Sequence, residues 1–193
     1  MEPLSPAVAL LLVLRVVGGF PSGAPASACD SMKPGHGVPP QSSPAPYRLI
    51  TSTGTFQPGR PITVTIAGPP YRGVLLEARS GSSTDAVGTW QLPPPDTRFL
   101  ACAGNPRGAV THSNTNPKGN GTAFTWTPPD SPAPVYFTAT VAQQFSVYWL
   151  NVRSSTLSRG APKGLNLASR AGRAGGKPLL LLLTCFLLLQ MQS

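Results

Sequence analysis

Short runs of alternating apolar and polar residues are the clearest pattern along this chain. Between residues 61 and 67, three apolar side chains alternate with two threonines. Between residues 135 and 141, four apolar side chains alternate with a tyrosine and two threonines. Successive side chains of a β-strand point to opposite faces of the sheet, so each run predicts a strand with one face in a core.

Similar runs continue from about residue 47 to residue 154, and Pro, Gly, Asn and Asp interrupt them roughly every 8–12 residues. That spacing is typical of a β-sandwich or a β-barrel. No stretch of this part has a convincing helical period. The pattern therefore predicts an all-β domain, whose core is expected to hold the large aromatic residues Trp90, Phe124, Trp126, Phe137 and Trp149.

The middle of the chain, residues 99–114, predicts two strands around a turn. An apolar segment ends at Cys102, a link of turn-type residues spans 104–108, and a strand-like run follows over 109–114. Because a cysteine and a histidine lie here, the stretch is either a reactive site or a part of the scaffold.

Residues 1–28 are expected to be a signal peptide. An apolar core over residues 7–14 is followed by small residues that end in an A-x-A pattern at Ala28. Cleavage after Ala24 also fits. The alternative is a short membrane anchor, although the apolar run is shorter than the ~20 residues that a span needs.

Residues 179–189 form a hydrophobic tail, which a basic flexible linker at residues 155–178 precedes. Eleven residues are too few to cross ~30 Å of hydrocarbon, but the tail matches the removable part of a GPI signal. Ser169 is then the expected attachment residue. A marginal single-pass anchor and a truncated terminus are the alternatives, and an anchored tail would associate with a membrane.

The net charge of +9 is distributed unevenly along the chain. Residues 29–154 hold nine Lys and Arg against five Asp and Glu, whereas residues 155–193 hold five basic residues and no acidic one. The core lacks the clustered basic face of a nucleic-acid-binding protein. We therefore expect no nucleic-acid partner.

Two of the three cysteines, Cys29 and Cys102, lie in the core, and Cys185 lies in the leucine-rich tail. The core pair has no CxxC motif and no Cys/His spacing typical of zinc. In a secreted domain such a pair predicts a disulfide. The chain-entropy model gives a loop of this length about 4.5 kcal/mol of stabilisation at most.

Catalytic motifs are absent from the sequence, which has no G-x-S-x-G, H-E-x-x-H, phosphate-loop or dinucleotide motif. We expect neither enzyme activity nor a cofactor. His112 lies between Thr111 and Ser113, but neighbours on a strand point to opposite faces, which disfavours a nucleophile–base pair. His36 and His112 are weak candidates for a metal site, since two histidines without a third ligand bind poorly.

Asn120 begins the sequon Asn120-Gly121-Thr122, which is the only one in the chain. In a loop of a secreted protein this motif predicts an N-linked glycan. The alternative is a sequon that stays unmodified. The glycan is the prediction that follows from the expected secretion.

Several motifs together resemble the reeler (reelin-type) domain family. Each motif is weak alone, whereas the combination is specific and covers about residues 29–154. The likeness rests on CDSMKPGHG at residues 29–37, F-x-P-G with ITV at 56–64, GVLLEAR at 73–79, VTHSN at 110–114 and F-x-W-x-P at 124–128.

The resemblance implies an immunoglobulin-like antiparallel β-sandwich of about 8–9 short strands, with Cys29 bonded near the middle of the domain. Reeler domains occur in reelin and F-spondin, in ferric-chelate reductase-like proteins, and alone in small insect defence proteins. In the reductase-like proteins the redox work belongs to a haem-bearing helical domain with apolar spans. This sequence shows no such spans, so reductase activity is not expected.

The resulting prediction is a non-enzymatic extracellular recognition module of the secretory pathway, either secreted or held at the cell surface. Its expected partner is an extracellular protein or a glycan, whose identity the sequence does not indicate. One alternative is a defence protein that binds microbial surface polymers. Another is a metal- or redox-linked accessory domain that lacks the haem domain.

Overall fold

In the computed structural model, the chain is described over residues 19–131 and 133–161. This part holds eleven β-strands and one short 3-10 helix, Ala26–Ala28. The strands are β1 (Arg48–Thr51), β2 (Thr55–Phe56), β3 (Ile62–Ala67), β4 (Gly73–Ser80), β5 (Thr89–Trp90), β6 (Thr97–Cys102), β7 (Asn105–His112), β8 (Ala123–Thr127), β9 (Val135–Gln144), β10 (Val147–Arg153) and β11 (Ser158–Arg159).

Two antiparallel sheets form a sandwich. The first sheet has the strand order β1-β3-β8-β5, and the second has the order β10-β9-β4-β7-β6. The apolar residues of the alternating strands β3 and β9 lie between the sheets, where they join apolar side chains of β4 and β8 in one core. The predicted immunoglobulin-like β-sandwich is therefore confirmed.

The predicted aromatic anchors all lie in this core. Trp90 and Trp126 are fully buried, and Trp149 is 8% exposed. Each of the three indole N–H groups donates to a backbone carbonyl at 3.0–3.2 Å, as a buried indole requires. Phe124 and Phe137 pack against the tryptophan rings with centroid separations of 5.1–6.3 Å.

The fold extends beyond residue 154, where the sequence predicted a linker. Val135 and Leu157 exchange two backbone hydrogen bonds, and Leu157 is fully buried. β11 then pairs in parallel with β2. These two-residue strands are too short to show alternation, and they raise the count above the predicted 8–9. The compact unit ends at Gly160, so the linker predicted at residues 155–178 starts too early.

The link between β6 and β7 is shorter than the sequence indicates. β7 begins at Asn105, and the two residues that connect the strands, Ala103 and Gly104, have φ angles of 51° and 72°. Positive φ at two consecutive residues is characteristic of the type I′ hairpin turn. The turn-type residues that follow lie within the strand instead, beside a register shift in β6.

Residues 19–36, which we call the N-terminal segment, cover the outer face of the five-stranded sheet. A second apolar cluster joins the two layers. This cover explains why β4 and β9 are buried at nearly every position, although only alternate side chains of a strand face the sandwich core. The cluster consists of Ala28, Cys29 and Met32 from the segment and Leu75, Leu100, Cys102 and Ala109 from the sheet.

A disulfide and several hydrogen bonds, among them three spread over residues 22–32, fix the N-terminal segment to the sheet. Cys29 and Cys102, the pair that the sequence predicts, form the disulfide with their Cα atoms 5.7 Å apart. The segment is therefore tied to the sheet near its middle and on either side of it. The hydrogen bonds run from the Ala24 N–H to the Thr111 hydroxyl (2.9 Å), from Arg98 Nε to the Ser22 carbonyl (2.8 Å) and from the Thr140 hydroxyl to the Met32 carbonyl.

The predicted signal peptide, residues 1–28, overlaps this folded segment. Ala28, the last residue of the A-x-A pattern, is the buried residue of the 3-10 helix. Gly23 adopts a φ of +116°, and a Cβ atom there would lie 2.4 Å from the carbonyl oxygen of His112. Such an approach admits only glycine. In the structure, residues 19–28 therefore pack against the domain, and cleavage at residue 28 stays a prediction.

Residues 1–18 and 162–193 lie outside the described part of the chain. The apolar core of the leader, Ser169 and the tail at residues 179–189 fall there, so the GPI signal and the membrane anchor stay predictions. Over residues 19–131 and 133–161, no helix is long and apolar enough to span a membrane.

We expect the mature protein to begin at or before Phe20, whose carbonyl accepts a hydrogen bond from His112. Loss of residues 19–28 would uncover the apolar cluster at Ala28 and break the hydrogen bonds made by Ser22 and Ala24. N-terminal sequencing and intact-mass measurement of protein secreted from cultured cells test this expectation. A mature chain that starts at Pro25 or Cys29 would contradict it.

Replacement of both bonded cysteines by alanine should lower the free energy of unfolding by about 4.5 kcal/mol at most, because the unfolded chain regains the entropy of an open loop. Urea denaturation of the double variant and of the unchanged protein measures the difference. The unchanged protein denatured with and without a reductant is the control. A loss below about 1 kcal/mol would show that the disulfide constrains little.

Candidate functional site

A cavity of about 460 Å³ lies between the N-terminal segment and the outer face of the five-stranded sheet. Its floor is formed by side chains of β4, β7 and β9. Its walls come from both ends of the N-terminal segment, around residues 19–25 and 32–36, and from the turn between β9 and β10. The floor residues include Val74, Leu75, His112, Thr140 and Ala142, and the wall residues include Phe20, Pro25, Met32, His36 and Phe145.

The strand pairing determines which residues form the floor. β4 lies between β7 and β9 in the sheet, and its first residues pair with Val141 and Ala142 of β9. Gly73 has no side chain, and Ala142 has a small one, so the sheet leaves room above this end of β4. The N-terminal segment spans the gap without filling it.

His112 lies at the edge of the cavity with both ring nitrogens engaged. Its Nε2 is 2.9 Å from the carbonyl oxygen of Phe20 and must therefore carry the proton. Its Nδ1 then accepts the backbone N–H of Val74 at 3.2 Å. This histidine ties the start of the N-terminal segment to β4, which is a structural role.

His36 lines the same cavity but is held mainly by aromatic contacts. Its ring stacks on Phe145 with a centroid distance of 4.5 Å and meets the edge of Tyr148 at 5.4 Å. Burial lowers the pKa of His36. A backbone hydrogen bond with Phe145 raises that pKa, and the nearby His112 lowers it. The Nδ1 atom is buried with no hydrogen-bond partner among the described residues.

The structure brings His36 and His112 to one cavity, as a shared metal site would require. Within the described ranges, however, neither histidine belongs to a group of three His, Cys, Asp or Glu side chains. His112 would also have to break a hydrogen bond to offer a nitrogen. The geometry therefore gives the predicted weak metal candidates no third ligand.

Thr111 and His112 are closer than the alternation of a strand predicts, since the hydroxyl oxygen lies 3.3 Å from Nδ1. The hydroxyl nevertheless donates to the Val74 carbonyl at 2.8 Å. It also accepts the N–H of Ala24. Because its proton is directed away from the imidazole, the pair does not have the arrangement of a nucleophile and a base.

A buried ion pair lies beside the disulfide. Glu77 and Arg79, both on β4, are 2.8 Å apart and have side-chain exposures of 0% and 8%. Arg79 also donates to the carbonyls of Cys29 and Asp30. Burial raises the pKa of Glu77 to about 7, although Arg79 opposes the shift. One carboxylate oxygen, Oε1, has no hydrogen-bond partner within residues 19–131 and 133–161.

Glu77 also lies within 4.8 Å of the sulfur atoms of Cys29 and Cys102. A carboxylate and two thiolates would be a plausible set of metal ligands, but both sulfurs are joined in the disulfide. A disulfide sulfur is not a thiolate and does not serve as one in a metal site. This cluster is therefore part of the scaffold.

Asn120 lies in an exposed turn between Lys118 and β8. The hydroxyl of Thr122 donates to the carbonyl of Gly119 at 3.0 Å, which fixes the turn. Lys118 beside it is buried, and its ammonium group donates to three backbone carbonyls at 2.9–3.0 Å. The sequon thus projects from a rigid loop, which favours the predicted glycan.

The cavity was missed by sequence reasoning, although two of its residues, His36 and His112, were singled out. Its lining comes from stretches between residues 19 and 145, and nothing in their spacing signals proximity. The available signal lies in β9. Its threonines alternate with core residues and therefore face the outer side of the sheet. Ala28, together with Cys29 and Met32 of the motif at residues 29–37, could have indicated an apolar segment that covers this outer face.

The Reeler domain family model matches residues 27–164 of this chain. The matched range contains both bonded cysteines and all eleven strands of the described part. It starts at residue 27 and therefore leaves out residues 19–26, the first part of the N-terminal segment. The match therefore includes the sandwich and only part of the wall of the cavity.

Curated relatives match most of this chain. A protein of Hyphantria cunea, provisionally named as a defence protein, is 42% identical over 76% of this chain and 93% of its own length. Another, from Antheraea mylitta, is 36% identical over 78% of this chain and 93% of its own length. Ferric-chelate reductase 1 of Bos taurus is 35% identical over 78% of this chain, but the match spans 26% of the reductase.

Solved structures with the same fold include the Reelin-N domain of F-spondin. It matches with a TM-score of 0.51 at 21% identity, over 64% of this chain and 93% of that one. The human F-spondin reeler domain gives the same score. At this level of identity the likeness shows a shared fold and nothing about a shared ligand.

The stability of the protein should fall as the pH rises from about 4.5 through 7. The pKa of Glu77 is raised to about 7 in the folded protein, from an ordinary value of 4.5, so the folded state binds the proton more tightly than the unfolded state. Linkage makes the loss about 3 kcal/mol. A Glu77→Gln variant should lose this part of the pH dependence, as measured by urea denaturation between pH 4 and 8.

An Asp85→Asn variant is the matched control, because Asp85 is an exposed carboxylate. It should keep the pH dependence of the unchanged protein. If Glu77→Gln and the unchanged protein have parallel stability profiles over this range, Glu77 is charged in the folded state and the argument fails.

Protein secreted from eukaryotic cells should carry an N-linked glycan at Asn120, since the sequon lies in an exposed turn. Digestion with an N-glycosidase should lower its mass, and an Asn120→Gln variant should show the lower mass without digestion. Thr122→Ser keeps the sequon and is the control. A mass that the enzyme does not change would contradict the prediction.

Proposed function

This chain belongs to the Reeler domain family, and we propose that it acts as a non-enzymatic extracellular binding module whose ligand occupies the cavity under the N-terminal segment. The cavity is the observation that carries the proposal. It is concave and mostly apolar, with a few polar groups at its margin, which is the usual composition of a small-molecule site. Its volume of about 460 Å³ suits a small ligand.

The chemistry of the lining favours binding over catalysis. His112 has both nitrogens in structural hydrogen bonds, and the Thr111 hydroxyl donates to the Val74 carbonyl. No Asp or Glu is among the residues that line the cavity in the described part of the chain. A general base beside a free nucleophile, which acyl or glycosyl transfer would need, is thus missing from this site.

Three observations support an extracellular location. The domain is closed by a disulfide, which forms and persists in oxidising compartments. An apolar leader is expected ahead of the described residues, and the relatives provisionally named as defence proteins match along most of their length. Secretion and display at the cell surface are both compatible with the proposal.

A role in innate defence is the second candidate function. It is favoured by the 42% identity with the Hyphantria cunea protein, of which this chain covers 93%. On this proposal the ligand comes from a microbial surface. Binding of lipopolysaccharide or peptidoglycan by protein truncated after Ala161 tests it, since binding that depends on the basic tail would be nonspecific attraction of charge.

A reductase function has less support. The match to ferric-chelate reductase 1 spans 26% of that protein, and the two histidines of the cavity lack a third ligand within residues 19–131 and 133–161. Iron or copper titration of the purified protein tests the redox alternative. Stoichiometric binding that a His36→Ala, His112→Ala double variant loses would favour it over the present proposal.

The binding function is tested with an uncharged dye whose fluorescence rises in apolar surroundings. The secreted protein should bind the dye at about one site per chain. An Ala142→Leu variant, which places a larger side chain on the cavity floor, should bind it at least about tenfold more weakly, as expected when a buried site is blocked by overpacking. Fluorescence titration measures both affinities.

Ala101→Leu is the matched control, because Ala101 is exposed on β6 and does not line the cavity. It should bind the dye as the unchanged protein does. Thermal denaturation of both variants shows whether each is folded. Equal binding by a folded Ala142→Leu variant and the control would exclude the cavity as the binding site.

A further inference from the structure

We propose that the cavity binds a single-chain amphiphile with an anionic head group, of which a fatty acid is the simplest example. This inference rests on the proposed binding function and specifies its ligand. Two properties of the lining carry it. The floor is apolar, and every ionisable side chain around it is a base.

The apolar part of the lining is suited to a hydrocarbon chain. Leu75 and Ala142 form an aliphatic floor, while Phe20 and Phe145 contribute aromatic rings to the walls. The two phenylalanines are 45% and 41% exposed, so each has apolar surface that a ligand would cover. Covering such surface is favourable by roughly 25 cal/mol per Å².

All the ionisable side chains of the lining are basic. Lys33, His36, Arg72 and His112 are its only ionisable residues, and none of the acidic residues of the described chain joins them. Lys33 comes from the N-terminal segment and Arg72 from the start of β4, so positive charge approaches the cavity from both layers. A carboxylate, phosphate or sulfate head group would meet this charge, whereas a quaternary ammonium group would be repelled.

The cations are placed for a head group that stays near water. Lys33 and Arg72 are both exposed, and Arg72 is oriented by a 2.8 Å hydrogen bond from Nη1 to the carbonyl of Thr115. Arg72 retains further N–H donors for an anion. A buried head group would lose its hydration without full compensation. The charged end of the ligand is therefore expected at the rim and the hydrocarbon chain inside.

The size of the cavity argues for one hydrocarbon chain. A volume of about 460 Å³ lies in the lower half of the range of ~300–1,000 Å³ that ligand pockets occupy. A lipid with two long chains would need more room than the segment and the sheet enclose. A single flexible chain can follow the floor beside Leu75 and Ala142.

The test compares three ligands with the same tail and different heads: dodecanoate, dodecanol and dodecyltrimethylammonium. Each is titrated against secreted full-length protein that holds the uncharged dye, below the concentration at which micelles form. Dodecanoate should displace the dye with at least about tenfold higher affinity than the other two, a difference that two favourable charge contacts provide. Dodecyl phosphate, tested in the same way, shows whether the head may be any anion or must be a carboxylate.

Charge-removing variants locate the head group. Lys33→Gln and Arg72→Gln should each weaken dodecanoate binding about three- to fivefold, as expected for a solvent-screened contact. Neither should change the affinity for dodecanol. Arg60→Gln is the matched control, because Arg60 is an exposed cation outside the cavity lining.

The outcomes separate this inference from the proposed function. Equal affinity for the three heads, with dye binding still lost in Ala142→Leu, would overturn the anionic ligand and leave the binding site in place. Preference for dodecanoate that Arg60→Gln weakens as much as Lys33→Gln does would show attraction to the net charge and also overturn it. A protein that binds neither the dye nor any amphiphile would remove both proposals.

Discussion

The buried guanidinium of Arg79 is the contact on which the outer layer of this domain depends. It pairs with Glu77 on its own strand and donates to the carbonyls of Cys29 and Asp30. One side chain thus joins the sheet to the N-terminal segment beside the disulfide. A buried charge is costly when it loses a partner, so the sheet and the segment stabilise each other. The cavity lies where the segment, held in this way, passes over the small residues Gly73 and Ala142 of the sheet.

The sandwich could be predicted from the sequence because alternation reports directly which side of a strand faces a core. The residues of β3 and β9 behave as their pattern indicates, and the tryptophans occupy the centre. Alternation does not report what covers the other side. The threonines of β9 looked solvent-facing, yet Thr138 and Thr140 are buried, because a segment more than a hundred residues earlier in the chain lies over them.

The candidate site was predictable only in fragments. His36 and His112 were recognisable as unusual residues, since the chain has two histidines, but their chemistry depends on the carbonyl of Phe20 and the ring of Phe145. The segment that contains Phe20 reads as a leader in sequence because its small residues suit a processing enzyme. The same small residues are what allow close packing on a sheet, as Ala28 and Gly23 show.

The disulfide between Cys29 and Cys102 also bears on the order in which the parts of the domain fold. The N-terminal segment leaves the ribosome before its partners on β6, β7 and β9, which follow by up to about a hundred residues. Contacts of such long sequence separation form late in folding. The segment is therefore among the last parts of the domain to be fixed, and the cavity is complete only when the whole domain is. A molecule that occupies the cavity would stabilise that final step by mass action.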